Sequence, residues 1–158
     1  MRFVDLDVDR ARWRSTVNYR LHNRLQVGVE FNPEVDELNP LLTVFLVTEA
    51  DRRPAVFLGT SSDRIGSPEG TQSYYATVSK RFGDSRWSAY ASLNYSEWDG
   101  GFNAPFGVEF WANESLTIRP MFDGDRSHLM LSWVQDRWAV SLLAVDFEHP
   151  GISVSLGF

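Results

Sequence analysis

Polar and apolar residues alternate one by one along most of this chain, the period of a β-strand with one apolar face. The 3.6-residue period of an amphipathic helix is hard to find. The alternation predicts about twelve strands: 2–9, 11–21, 24–31, 40–48, 54–61, 72–82, 86–97, 105–112, 115–122, 127–135, 137–147 and 151–158. In 24–31, Leu25, Val27, Val29 and Phe31 oppose Arg24, Gln26, Gly28 and Glu30. In 86–97, Trp87, Ala89, Ala91, Leu93 and Tyr95 oppose Ser88, Tyr90, Ser92, Asn94 and Ser96. Strands 40–48, 54–61 and 137–147 are apolar on both faces, so alternation does not orient them. The connections alternate in length. His22-Asn23, 51–53, 83–85, Asn113-Glu114 and Asp136-Arg137 are short and mostly turn-forming, whereas 32–39, 62–71 and 98–104 are longer and rich in Pro, Gly, Asp and Asn. Strands running up and down would put the short connections at one end and the long ones at the other. An even strand number would return both termini to the short end. No linker stands out, so residues 1–158 are expected to form a single β-barrel domain.

The last strand states the pattern most sharply. Ile152, Val154, Leu156 and Phe158 share one face, and Ser153, Ser155 and Gly157 share the other. A soluble sheet would carry Lys and Glu on its wet face. Here the polar faces are Ser, Gly, Asn, Thr, Tyr and Arg, residues suited to a narrow lumen, with the apolar faces turned to lipid. In this respect the chain resembles a bacterial outer-membrane β-barrel, an all-β, antiparallel, up-and-down transmembrane barrel with short periplasmic turns and longer external loops. Three segments, Arg53-Pro-Ala-Val-Phe-Leu-Gly59, Asp63-Arg-Ile-Gly66 and Tyr75-Ala-Thr-Val-Ser-Lys-Arg-Phe-Gly83, resemble the repeat of YjbH-type outer-membrane proteins. Pro105-Phe-Gly-Val-Glu109 and Leu116-Thr-Ile-Arg-Pro120 follow the same pattern. That resemblance implies a link to exopolysaccharide or capsule secretion, and no catalytic residues.

Composition narrows the classes. The absence of cysteine excludes a disulfide scaffold and thiolate metal sites. A net charge of −6 gives a nucleic-acid partner no electrostatic support. Fourteen of the fifteen cations are arginine, with Lys80 the lone lysine; arginine keeps its charge when partly buried and pairs carboxylates bidentately. No run of about twenty apolar residues exists to form a transmembrane helix. The first nine residues interleave acids with apolar residues and are no signal peptide. Residence in the outer membrane therefore implies a signal that was removed.

Four groups of residues are candidates for chemistry. Asp5, Asp7, Arg12, Arg14, Arg20, Arg24, Glu30, Glu109 and Arg119 fall on the faces expected to line the lumen. They read either as a charged constriction or, because the signs nearly balance, as a plug of salt bridges. Asp123-Gly-Asp125-Arg-Ser127-His128 lacks the further oxygens and the glutamate of a calcium loop. Ser127 and His128 are strand neighbours that point to opposite faces, so no nucleophile and base meet there. Trp98, Asp99 and Trp111 are candidate loop contacts for a ligand such as a sugar, while the other aromatics near strand ends read as interfacial anchors. The loop 61–71 has no helix or Gly-Lys-Ser/Thr after its glycines and is not a phosphate loop; an external loop that folds inward suits it better.

The resulting expectation is an outer-membrane barrel with a structural or export-associated role, without catalytic site, metal or cofactor. Its partners would be outer-membrane lipid and polysaccharide or export-machinery proteins. The alternatives are a narrow channel for small polar solutes with an Arg-lined lumen, and a soluble β-barrel binding an apolar ligand.

Overall fold

The computed structural model describes residues 1–5, 12–34, 36–63, 67, 68 and 70–157, and among these there is no helix. The strands are β1 (Arg2–Val4), β2 (Trp13–His22), β3 (Leu25–Asn32), β4 (Glu37–Val47), β5 (Ala55–Ser62), β6 (Gln72–Arg81), β7 (Trp87–Ser96), β8 (Gly101–Asn103), β9 (Phe106–Trp111), β10 (Leu116–Phe122), β11 (Ser127–Gln135), β12 (Trp138–Val145) and β13 (His149–Leu156). All pairings are antiparallel. Twelve strands form a closed ring, β1 to β7 and then β9 to β13, with β13 returning to β1. β8 pairs only with Asn94, Tyr95 and Ser96 of β7 and stands outside the ring. The chain is therefore an all-β, up-and-down barrel of twelve strands plus one short extra strand.

Three elements differ from the alternation. The strand expected over 2–9 is described only as Arg2–Val4, with Asp5 outside it, and 6–9 lie outside the described residues. β4 begins at Glu37, so the turn before it is only 33–36. Asn39 and Pro40 look like loop residues in sequence. The β4–β5 ladder reaches no further than Leu42, so Pro40 removes no hydrogen bond on that side. β8 was not foreseen: three residues between Gly100 and Pro105 are too short for a period to show.

The connections β2–β3, β4–β5, β6–β7, β9–β10 and β11–β12 lie at the same end of the ring as Met1 and Gly157, here the turn end. The others lie at the opposite, loop end.

Burial is inverted relative to a water-soluble protein. The buried polar side chains include Glu30, Asn39, Ser73, Thr77, Ser96, Thr117, His128, Ser132 and Ser141, whereas the buried apolar ones among the described residues are Val4, Ala55 and Val145. Outside, Val17, Leu58, Leu93, Leu142 and Val154 are exposed, Leu142 at 59%. Register explains this. Thr77 faces Ser92 and Ser132 faces Ser141 across neighbouring strands, hydroxyl to hydroxyl, at 2.7 and 2.8 Å. A period of two then puts every intervening apolar residue outside. The strands that alternation left unoriented follow their neighbours: Leu41, Thr43, Phe57, Gly59, Ser141 and Leu143 point inward.

The outer surface is banded. Tyr19, Trp87, Trp133 and Trp138 ring the turn end, and Trp13, Tyr74, Tyr95, Phe102, Phe106 and Phe147 ring the loop end. Aliphatic residues such as Val78, Leu131 and Ile152 lie between them. Rings stack in pairs within the bands, Trp87 on Phe110 at 4.5 Å and Tyr95 on Phe102 at 5.3 Å.

Candidate functional site

The inward face carries the polar chemistry, and it is organised as separate clusters. The first joins β2 and β3. Arg14 Nε lies 3.0 Å from Glu30 Oε1, with both side chains mostly buried, and the Ser62 hydroxyl donates to the same carboxylate oxygen. The second joins β9 and β10, where the Arg119 guanidinium pairs with Glu109 and the Ser88 hydroxyl donates to Glu109 at 3.4 Å. The remaining members of the expected charge cluster lie elsewhere. Arg20 is at the turn end, exposed, with its guanidinium 4.6 Å from the Phe45 ring centroid. Arg24 sits in the exposed β2–β3 turn, on the rim rather than the lumen wall. Asp5 and Arg12 pair at 3.0 Å at the loop end, largely exposed. Asp7 lies outside the described residues. One expected cluster thus becomes two internal ion pairs and a set of rim charges.

The loop-end mouth is drawn together by the β5–β6 connection. Gly70 donates its N–H to the Glu37 carboxylate, which also accepts from Asn39 Nδ2 at 2.9 Å. Asp63 is buried and accepts the Ser96 hydroxyl at 2.7 Å and the Trp98 N–H at 3.3 Å, tying this connection to the one after β7. Ser67 is fully buried. Of this connection's described residues, Gly70 is thus held against β4.

Inner-face residues of β5, β6, β7, β9 and β10 line a cavity of about 590 Å³. Two tyrosines shape it. Tyr75 lies across Gly59, its direct cross-strand partner, and Tyr90 lies across Gly107, its own partner. A Cβ at Gly107 would sit 2.6 Å from the Tyr90 ring, so only glycine lets the ring lie flat on the wall. The Tyr75 hydroxyl meets Thr43 Oγ1 at 3.0 Å. At the turn end the Arg81 guanidinium lies 6.0 Å from the Trp111 ring centroid, and Lys80 reaches Glu49 at 3.2 Å. The Arg81 N–H, helped by Lys80, holds the Glu49 carboxyl below its ordinary range against the opposing effect of burial.

Trp111 is inward at the turn end, whereas Trp98 and Asp99 lie in the connection after β7 at the loop end. The three cannot form one ligand platform, because β9 carries Trp111 to the far end of the barrel.

His128 is bound on both ring nitrogens. The Asp146 N–H donates to Nδ1 at 3.0 Å, so Nε2 carries the proton that it donates to Asp123 Oδ2 at 2.8 Å. Asp123 Oδ1 accepts the N–H groups of Asp125 and Arg126 at 2.9 and 2.8 Å. Burial raises the Asp123 pKa, but the His128 and backbone hydrogen bonds outweigh it and hold the carboxyl below its ordinary range. The arrangement clasps the β10–β11 turn to the β12–β13 turn. Ser127 faces outward and supplies no nucleophile to it. Among the described residues no group of three His, Asp or Glu side chains is placed to hold a metal.

The two glycine–tyrosine pairs, the buried Asp63 and the Asp146 bond to His128 went unforeseen. The only sequence signal for the first was an inward tyrosine and an inward glycine on adjacent strands. No family model, curated protein or solved structure matches this chain.

Proposed function

We propose that the chain is a bacterial outer-membrane barrel acting as a non-catalytic structural or export-associated component. The observation that carries this reading is the inverted burial: serine, threonine and ion pairs inside, and a band of exposed aliphatic residues flanked by two aromatic belts outside. In water such a surface would be an extensive apolar patch of the kind that drives aggregation. In a bilayer it is the expected surface of a spanning barrel. The Arg14–Glu30 and Arg119–Glu109 pairs, with Gly70 held on the Glu37 carboxylate at the mouth, favour an obstructed lumen over an open pore. The resemblance to YjbH-type proteins directs the export role toward exopolysaccharide traffic. Brominated lipids test the membrane assignment. Tryptophan fluorescence of the reconstituted chain should be quenched strongly through Trp87, Trp133 and Trp138. A monodisperse, unquenched protein in detergent-free buffer overturns the reading.

A narrow solute channel is the second reading, favoured by the 590 Å³ cavity. Planar-bilayer recording separates the two. The obstructed barrel should be silent and should conduct after Arg14→Ala with Glu30→Ala; large steady currents from the unaltered protein make the channel primary. A soluble barrel for an apolar ligand has least support, since the inner faces are lined mainly by hydroxyls, amides and charges.

A further inference from the structure

The strand register explains the shape of the cavity of about 590 Å³. Along the seam between β6 and β7 the inward residues face each other in pairs: Arg81 with Ser88, Ser79 with Tyr90, Thr77 with Ser92 and Tyr75 with Asn94. The two tyrosines leave this seam in opposite directions. Tyr75 leans over Gly59 of β5, and its hydroxyl reaches Thr43 of β4 at 3.0 Å. Tyr90 leans over Gly107 of β9. What stays on the seam is short, namely Ser79, Thr77 and Ser92, and the cavity is the trough between the two rings. Its volume falls within the range of about 300–1,000 Å³ found for small-molecule sites. A second cavity of about 810 Å³ lies at the turn end, and Arg81 and Trp111 line both, so the trough is reached from that end.

Polar groups inside a protein are normally paired, so those left over mark what a ligand would meet. Most polar side chains of the trough are already engaged. Thr77 and Ser92 bond each other at 2.7 Å, and Ser88 donates to Glu109. Glu109 pairs with Arg119, and Glu49 pairs with Lys80. The side chains of Ser79, Tyr90, Asn94 and Arg81 have no hydrogen-bond or ion-pair partner among the described residues. Ser79 and Tyr90 face each other, and Arg81 is the next inward residue of β6, about 6.6 Å further along the strand. Asn94 stands four residues beyond Tyr90, roughly 13 Å toward the loop end. Each carboxylate of the lining thus has its own cation, and Arg81 is the charge left uncompensated. Its guanidinium lies 6.0 Å from the Trp111 ring centroid, which orients it and leaves its N–H groups open. Arg86 beside it is tied to the Ala112 carbonyl at 2.9 Å.

We propose that the trough binds a small hydroxylated monocarboxylate, of the sugar-acid class, with its carboxylate on Arg81 and its hydroxyls on Ser79 and Tyr90. An arginine fork matches a carboxylate bidentately, and a guanidinium already stacked on a ring loses little freedom on binding. One uncompensated cation calls for one negative charge, because a second would meet Glu49 and Glu109. The hydroxyls are demanded by Ser79 and Tyr90: an apolar body would cover them and leave them unpaired. Tyr90, locked on Gly107, offers its free ring face to the C–H groups of the ligand without a rotamer to freeze. A single ring spans Arg81 to Ser79, and Asn94 lies beyond its reach. This binding role goes beyond the structural one. It holds whether lipid or water surrounds the barrel, and lipid quenching tests that question separately.

The test uses the full chain in micelles of an amine-oxide detergent, which carries neither sugar nor carboxylate. The probes are D-glucuronate, glucose, cyclohexanecarboxylate and chloride. Calorimetric titration should give glucuronate a Kd at least tenfold below that of each of the others. In NMR spectra the Trp111 indole N–H should shift with glucuronate, and that of Trp98, at the loop end, should not. Arg81→Gln should erase the preference for glucuronate over glucose, and Ser79→Val should narrow its preference over cyclohexanecarboxylate. Arg20→Gln, at an exposed arginine of the same end but four strands from β6, is the charge-matched control and should leave the Kd unchanged. The proposal fails if glucuronate shows no saturable binding, or if glucose, cyclohexanecarboxylate or chloride binds as tightly. It also fails if Arg20→Gln weakens binding as much as Arg81→Gln, since the attraction would then be a diffuse property of the turn end. Should Arg81→Gln not fold, the ranking of the four probes on the unaltered protein decides.

Discussion

Leu142→Arg discriminates sharply between lipid and water outside the barrel. Leu142 points outward from the centre of β12, between Leu131 of β11 and Ile152 of β13, and is 59% exposed. It stands four residues after Trp138 of the turn-end belt. At about 3.3 Å per residue that is roughly 13 Å along the strand, and a tilt of about 40° reduces it to roughly 10 Å of depth. An apolar band about 25 Å tall has its midplane about 12 Å in, so Leu142 lies close to it. Arginine there should destabilise the barrel by roughly 2–4 kcal/mol. At about 1.4 kcal/mol per tenfold, this is a loss of about 30-fold to nearly 1,000-fold in the folding equilibrium. At an exposed site in water the same change should stay within about 0.5 kcal/mol. Trp138→Arg, at the interface, is the internal control and should cost about 0–1 kcal/mol from the charge. The assay is reversible urea unfolding in lipid vesicles, followed by tryptophan fluorescence. A cost below about 0.5 kcal/mol for Leu142→Arg, or equal costs at the two sites, would refute a bilayer around β12.

Other perturbations probe closure, the lumen and the loop end. Deleting Ser153 to Phe158 removes Ser153, the β13 partner of Arg2, Val154, which hydrogen-bonds Met1, and half of the β12 ladder; the truncated chain should fail to insert, and a protease-resistant, heat-modifiable band on a gel would count against the closed ring. Glu30→Gln leaves Arg14 without its carboxylate and should destabilise by roughly 3–5 kcal/mol, whereas Arg14→Met combined with Glu30→Leu should cost much less; equal losses in denaturant titrations would show that the pair is not effectively buried. Asp123 has a depressed folded pKa, so its contribution is fully present above the ordinary carboxylate range and is lost as pH falls through the lower folded value. Amide exchange in the β10–β11 turn should therefore accelerate only below about pH 4 through this group, and acceleration should vanish in Asp123→Asn; an unchanged acid response in that variant would remove Asp123 as its origin.

What the sequence determined by itself was the period. Alternation places twelve strands with little error because a side-chain period of two is a local property of the backbone, and Leu25, Val27 and Val29 cannot share a face in any other element. The kind of residue on the polar face, Ser, Gly and Asn in place of Lys and Glu, also pointed to a lumen before any contact was visible. Strands that are apolar on both faces, such as β4 and β12, carry no such information; only the register with Gln26 and His128 turns Thr43 and Val145 inward. The candidate charges show the same division. Parity put Arg14, Glu30, Glu109 and Arg119 on inner faces, but parity is blind to height along the barrel. Strand pairing alone decided that Arg24 lies on the rim and that Trp98 and Trp111 lie at opposite ends. Asp63, which clasps two connections, and Tyr75 and Tyr90, which lie flat on glycines, depend on neighbours distant in sequence, and no local pattern encodes them.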